Sequence, residues 1–168
     1  LRAKGDIYLS VDPVVRERPI VEFAKRMRVD GLEKFNCRTV FSSITFHLDK
    51  GHLEHGQAVG ALVVYIPVDY LPRLMWLMEY GRINEDDDDV IMDACGTVTN
   101  LIAGYFVKEL SGHGYIFLEM SHFESFINTA VNGINFSPEQ DVKHEISFEI
   151  KGDKQIVVEL TMGPIPRY

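Results

Sequence analysis

In some segments of the chain the apolar residues are spaced as in a helix, and in other segments they are spaced as in a strand. Apolar positions three and four residues apart are typical of a helix with one buried face. This spacing predicts a first helix over residues 14–27, with its regular part beginning at Pro19 and its end marked by Gly31. It also predicts a second helix over residues 68–80 and a long third helix over residues 84–110.

Strands are predicted where apolar and polar residues alternate, or where a short apolar run stands alone. Loops rich in glycine and charge join two pairs of them, at residues 49–56 and at Gly152–Asp153, and so predict two antiparallel hairpins. Residues 121–133 fit either a helix or a strand, and the pattern leaves them open. The predicted strands are, in chain order, residues 37–48, 57–67, 115–118, 142–151 and 154–162.

This order of elements predicts an α+β fold, in which helices cover a mainly antiparallel sheet and one of the helices is long. A chain of 168 residues suits a single domain, because one hydrophobic core is expected at about 100 to 200 residues. We therefore expect one domain over residues 1–168, with irregular ends at residues 1–11 and 163–168.

Charge and composition indicate which classes of partner are unsuitable and which cellular compartment to expect. The formal net charge is −8, whereas nucleic acid and anionic membrane surfaces require a concentrated basic face. No apolar run approaches the ~18 residues of a transmembrane helix, and no signal-peptide pattern is present. Cys37 and Cys95 lie far apart in the sequence and indicate neither a disulfide framework nor a zinc ribbon. The expectation is a cytoplasmic protein.

The long helix carries the most distinctive pattern in the chain. At about 100° per residue, Asp93, Thr97, Asn100 and Gly104 fall within about 60° of one another, and we call this polar and small stripe the motif face. Small residues such as Gly96 flank it, which predicts that another surface approaches the helix closely. The opposite side of the helix is predicted to be buried and carries Ile91, Cys95, Val98, Ile102 and Tyr105.

The segment from Asp93 to Gly104 resembles the signature of the CheC/CheX/FliY family of bacterial chemotaxis phosphatases. In that signature an aspartate or serine is followed by a glutamate and then by an asparagine, and here Thr97 stands at the glutamate position. The order of elements over residues 12–162 is most similar to a single-motif CheX-like domain. The positions that match the family pattern are Asp93, Ala94, Gly96, Asn100, Ala103 and Gly104.

This resemblance implies a partner and a chemistry. The substrate would be the phosphorylated aspartate of a response regulator such as CheY, which brings its own Mg²⁺, so that the chain needs no cofactor of its own. The family's asparagine, here Asn100, orients the attacking water. The family's glutamate pairs with a lysine of the regulator. Thr97 lacks that charge, and Asp93 lies one helical turn earlier. A homodimer is also implied.

Two other functions stay open on the sequence. The missing glutamate at Thr97 also fits a catalytically inactive adaptor that binds response regulators, or a scaffold like the related flagellar switch protein FliM. A small-molecule sensory module or an oligomerisation module is a different interpretation, and it predicts a ligand site remote from Asn100 or an oligomer that buries it. Trp76, in the second predicted helix, is interpreted as a core or interface residue.

Two polar segments invite metal-binding hypotheses. The acidic run at residues 84–89 lacks the ligand spacing and central glycine of an EF-hand loop, and acidic residues at a helix start interact favourably with the helix dipole. His52 and His55 lie three residues apart in a predicted turn, with Asp49 and Glu54 beside them, which is a weak zinc pattern. Neither segment changes the expectation of a chain without a metal site of its own.

Overall fold

A large antiparallel sheet occupies the middle of the molecule in the computed structural model, which describes residues 9, 11–150 and 153–167. The helices are α1 Lys50–Glu54, α2 Leu71–Leu77 and α3 Asp88–Ser111. The strands are β1 Val14–Pro19, β2 Glu22–Phe23, β3 Arg26–Asp30, β4 Thr39–His47, β5 Gly60–Pro67, β6 Glu119–Met120, β7 Glu124–Ile127, β8 Ala130–Ile134, β9 Val142–Ile150 and β10 Asp153–Met162. The predicted α+β fold, with a mainly antiparallel sheet and one long helix, is confirmed.

The strands form two sheets, and the larger one lies between two hydrophobic cores. Its strand order is β1-β9-β10-β5-β4-β6, and β7 pairs with β4 as well. The smaller sheet has the order β2-β3-β8. Helices α2 and α3 pack on one face of the large sheet, and the small sheet packs on the other face.

Strand β5 shows how the sequence fills both cores. Its residues are buried from end to end, as expected of a strand that is covered on two faces. Leu62, Val64 and Ile66 contribute to the core beneath α3, whereas Val63 and Tyr65 contribute to the core beneath the small sheet. The predicted hairpin is confirmed, because β4 and β5 pair antiparallel, with Ile44 opposite Leu62. The segment between them contains the short helix α1.

The first predicted helix is wrong, because residues 14–27 form strands β1, β2 and the start of β3. Met27 and Val29 are 1% exposed and alternate with the less buried Arg28 and Asp30, which is the period of a strand. Strand β1 pairs with β9, with Val15 opposite Ile146. This long-range pairing supplies the backbone hydrogen bonds that a helix would have made internally.

The short strand predicted at residues 115–118 is also wrong. Tyr115 is buried and its hydroxyl donates to the carbonyl of Gly163, but the chain then turns, and Phe117 has a φ of 63° and is 85% exposed. The strand that follows is β6. Residues 121–133, which the pattern leaves open, contain β7 and most of β8. The terminal hairpin of β9 and β10 is confirmed, although its predicted turn residue Gly152 lies outside the described residues.

A network of buried charges ties the loop after β3 to strands β9 and β10. The Lys34 ammonium is 2.7 Å from a carboxylate oxygen of Glu145 and also pairs with Glu159. Lys143 lies 2.7 Å from the second oxygen of Glu159, which also accepts a hydrogen bond of 3.1 Å from the Tyr65 hydroxyl. These groups are almost completely buried, so each depends on its partners for the solvation that water would otherwise provide.

Helix α3 is long and apolar enough to cross a membrane, judged by length and composition alone. The core helix of a soluble protein passes the same test. Here one side of α3 packs on the large sheet, and 39% of its most apolar window is buried inside the protein.

Candidate functional site

The helix α3 divides into two sides, as the periodicity predicts. Ile91, Cys95 and Val98 are fully buried against the large sheet. Burial raises the pKa of the Cys95 thiol to about 12, so this cysteine stays protonated and is no nucleophile at neutral pH. Tyr105 departs from the prediction, because it is 47% exposed near the end of the helix.

The motif face lies on the solvent side of α3. Asp93, Asn100 and Gly104 are exposed, and Thr97 is half-buried between them. The Thr97 hydroxyl donates a hydrogen bond of 3.0 Å to the backbone carbonyl of Asp93, so its proton is held within the helix. The Asn100 amide makes no side-chain hydrogen bond within the described part of the chain. Its carbonyl and its NH₂ are therefore both available to an external group.

The close approach predicted at the small residues occurs within the molecule at one of them. Gly96 is buried beneath the ring of Phe123, and a Cβ atom at this position would lie 2.1 Å from the ring carbon Cε2. Ala103 is fully buried as well. At Gly104 an added Cβ would meet nothing within 4 Å. Only the Gly104 end of the stripe therefore leaves the helix backbone open to a partner.

The acidic run before α3 caps the helix. Asp87 is the N-cap residue, and its carboxylate accepts hydrogen bonds from the backbone N–H groups of Asp89 and Val90, at 3.0 and 3.4 Å. Asp88 and Asp89 occupy the first turn, where negative charge interacts favourably with the helix dipole. Asp88 also pairs with the guanidinium of Arg38. These contacts agree with the helix-start interpretation of the acidic run.

The two histidines of the predicted turn interact locally. His52 Nδ1 lies 2.8 Å from a carboxylate oxygen of Asp49, and His55 Nδ1 is 2.7 Å from the carbonyl of Gly51. Asp49 also caps the short helix α1 by accepting from the backbone N–H of His52. Among the described residues, no group of three or more His, Cys, Asp and Glu side chains is arranged to hold a metal ion.

Three features near α3 were missed by sequence reasoning or misjudged. Phe123 covers Gly96 from a segment whose structure the pattern leaves open, and Arg38 pairs with Asp88 although four elements, β4, α1, β5 and α2, separate them in the sequence. Trp76 is 60% exposed and its ring lies 5.9 Å from the Arg82 guanidinium, so it is not a core residue. The contacts of Phe123 with Gly96 and of Arg38 with Asp88 join distant parts of the chain and leave no periodic signal in the sequence.

No protein-family model and no curated protein sequence matches the chain. Solved structures do match. The CheX chemotaxis protein from Desulfovibrio desulfuricans superposes with a TM-score of 0.55 at 15% identity, over 96% of this chain and 89% of that one. The CheC-like superfamily protein from Shewanella sp. PV-4 gives 0.54 at 16% identity, over 95% and 86% of the two chains.

A third solved structure matches as well. Thermotoga maritima FliY superposes with a TM-score of 0.54 at 20% identity, over 90% of this chain and 74% of that one. Identities this low show the fold alone. The resemblance read from residues 93–104 is therefore confirmed at the level of the fold, which is the fold of CheC-like, CheX and FliY proteins.

Proposed function

We propose that the chain binds the receiver domain of a phosphorylated response regulator across the motif face and accelerates loss of its phosphoryl group. In this function Asn100 accepts a hydrogen bond from the attacking water with its carbonyl and anchors to the partner with its NH₂. The observation that carries the proposal is the exposed Asn100 amide, which has no hydrogen-bonding partner in the described part of the chain, on a helix that resembles the family signature.

The chemistry requires orientation rather than proton transfer. A receiver domain supplies the phosphoryl aspartate and the Mg²⁺, so the contribution of this chain is to hold one water in line with the phosphorus. The amide needs no change of protonation to do this, because it is not an ionisable group. The protein then needs no metal of its own and acts in the cytoplasm, where its partner is phosphorylated.

A second candidate function is a receiver-binding adaptor without catalysis. It is favoured by Thr97, which stands at the glutamate position and whose hydroxyl donates a hydrogen bond to the backbone carbonyl of Asp93 in its own helix. A charge-assisted hydrogen bond is about twice as strong as a neutral one, so docking through Thr97 is weaker than docking through glutamate. Asp93 is the exposed carboxylate nearest along this face, and we assign it the charged contact with the partner.

The test uses a panel of receiver domains from the same organism, charged with acetyl phosphate in the presence of Mg²⁺. Phosphoryl loss is followed with and without the protein, and binding is measured in parallel by isothermal titration calorimetry. Binding together with faster loss supports the phosphatase, whereas binding without acceleration contradicts it and supports the adaptor. Thr97→Glu is expected to tighten binding by about tenfold in either case, because it restores the missing charge.

The homodimer implied by the resemblance belongs to the same proposal. Every residue of the edge strand β1 is exposed, and an exposed edge offers unpaired backbone groups to a second copy. Light scattering coupled to size-exclusion chromatography measures the mass directly. A monomeric mass at micromolar concentration contradicts the dimer.

A further inference from the structure

A cavity of about 880 Å³ opens at one end of the molecule, where segments distant in sequence meet. The turn between β2 and β3, the connection from β4 to β5, residues 135–139 and residues 164–167 line it. Its volume lies within the range of about 300 to 1,000 Å³ that is typical of small-molecule sites. No residue of α3 is among its described lining residues, so this cavity is separate from the motif face.

The rim of the cavity is cationic on a chain of strongly acidic composition. Lys25, Arg26 and Arg167 all line it, and none of the three has an ion-pair partner in the described ranges of the chain. Glu139 also lines the cavity and opposes them, and His52 is paired with Asp49. Three cations against one free carboxylate leave a local positive charge, while the whole chain has a formal net charge of −8.

Several of the residues that line the cavity are apolar, and three of them are prolines. Phe136 and Ala58 are buried, Ile165 is exposed, and all three line the cavity. Pro138, Pro164 and Pro166 also line the cavity. Because proline fixes its backbone φ angle, such a wall loses little conformational entropy when a ligand binds.

The turn that carries Lys25 is strained. Ala24 and Lys25 have φ angles of 50° and 62°, and they connect Phe23 and Arg26, which pair across the β2–β3 hairpin. Glycine and asparagine are the residues that occupy such a turn at low cost. Strain of this kind persists where the surrounding structure or the function requires it, and here the strained turn brings a cation to the cavity.

We propose that this cavity binds a small amphipathic organic anion, namely a carboxylate with an apolar body. The apolar body packs against Phe136 and Ile165 inside the cavity. The carboxylate lies at the rim, where the guanidinium groups of Arg26 and Arg167 offer paired N–H donors that match its geometry. Lys25 adds a third positive charge. The site is independent of the motif face and of the receiver partner.

Octanoate is the probe, titrated into the whole chain by isothermal titration calorimetry at physiological salt. Acetate, which lacks the apolar body, and 1-octanol, which lacks the charge, are the comparison ligands. Octanoate is expected to bind at least about tenfold more tightly than either, since the charge-assisted hydrogen bonds and the apolar contact each contribute more than about 1.4 kcal/mol. Equal affinity for octanoate and 1-octanol would overturn the proposal.

Four single variants test where octanoate binds and whether positively charged side chains hold it. Arg26→Gln and Arg167→Gln are each expected to weaken octanoate binding about tenfold, whereas Glu139→Gln is expected to strengthen it. Arg16→Gln removes an exposed cation of β1 outside the cavity and serves as the matched control. A loss of affinity in Arg16→Gln equal to that in Arg26→Gln would show non-specific attraction and overturn the site.

Two further measurements keep the test decisive. Each variant is checked for an unchanged circular dichroism spectrum, and if Arg26→Gln is unfolded, Arg167→Gln tests the site from a segment outside helix and strand. Amide chemical-shift changes on adding octanoate are expected at residues 135–139 and 164–167. Changes concentrated on α3 instead would place the ligand elsewhere and overturn the proposal.

Discussion

The ring of Phe123 lies directly over Gly96, so that a Cβ atom at position 96 would come within 2.1 Å of the ring carbon Cε2. This contact holds the segment before β7 against α3, beside the motif face. It gives the small residue at position 96 a packing function inside the molecule.

Gly96→Ala is therefore expected to destabilise the protein by about 1–3 kcal/mol, because the ring must move to admit the methyl group. Gly104→Ala is the matched control on the same helix. At that position a Cβ meets nothing within 4 Å, so alanine is expected to stabilise the helix by up to about 1 kcal/mol. Urea denaturation measures both variants. Stabilisation of similar size at the two positions would contradict the packing function of Gly96.

The buried charges around Glu159 predict a loss of stability in Lys34→Met. Removing this ammonium leaves the carboxylates of Glu145 and Glu159 with fewer partners, at an expected cost of about 3 kcal/mol. Lys50→Met, at an exposed lysine, is the control and is expected to change stability by less than about 0.5 kcal/mol. Equal midpoints of denaturation for the two variants would refute the network's contribution.

The same lysine predicts an alkaline limit to stability. Burial by itself would lower the pKa of Lys34, but Glu159 and Glu145 outweigh it, and the folded-state pKa is raised. The stabilisation is complete below the unfolded pKa of about 10.4 and is lost as pH rises through the higher folded value. Burial beside Glu159 raises the pKa of Tyr65 as well, with the same sign.

Denaturation midpoints measured between pH 8 and 11 check this prediction. Wild-type stability is expected to fall at the upper end of that range, and Lys34→Met is expected to fall less steeply. A parallel decline in the two proteins would show that Lys34 does not contribute to the pH dependence.

The two cysteines are expected to differ in reactivity. Cys37 is exposed, whereas Cys95 is buried between α3 and the large sheet, with its pKa raised to about 12. A thiol-specific disulfide reagent at pH 8 is expected to modify Cys37 alone in the native protein and both cysteines in denaturant, because the thiolate is the reacting species. Rapid native labelling of Cys95, read by peptide mass, would contradict its burial.

Relieving the strain of the turn at Lys25 is expected to raise the stability of the fold and to weaken ligand binding. Lys25→Gly relieves a left-handed backbone conformation and is expected to stabilise the fold by about 0.5–1 kcal/mol, while it weakens octanoate binding. Ala24→Asn is the control, since it relieves similar strain and keeps the cation. Thermal denaturation and calorimetry of both variants check the prediction. Unchanged octanoate affinity in Lys25→Gly would remove Lys25 from the site.

The sequence predicts most of the large sheet and the long helix, because their signals are local. The apolar stripe of α3 and the apolar run of β5 each reveal a buried surface without reference to the rest of the chain. The helical spacing of residues 14–27 is overridden by the pairing of β1 with β9, which lies more than a hundred residues away in the sequence. Local patterns do not encode such a partner.

The sequence likewise predicts only part of the candidate site. The motif face follows from helical geometry, and the structure leaves Asp93, Thr97 and Asn100 together on one accessible side of α3. The hydrogen bond from the Thr97 hydroxyl to the backbone carbonyl of Asp93 is a local one that joins residues four apart in a helix. The ring of Phe123 behind Gly96 and the cationic cavity have no sequence signal, because each is assembled from segments that meet only in the folded chain.

The central claim is that Asn100 orients the attacking water, and one measurement tests it directly. The first-order rate constant of phosphoryl loss from a bound, Mg²⁺-loaded receiver domain is determined at saturating wild-type protein, Asn100→Ala and Asn132→Ala. Asn132 is an exposed asparagine of β8 and serves as the matched control. Acceleration is expected in wild type and Asn132→Ala, and a decrease of about a hundredfold in Asn100→Ala. Equal rates with wild type and Asn100→Ala would contradict the claim.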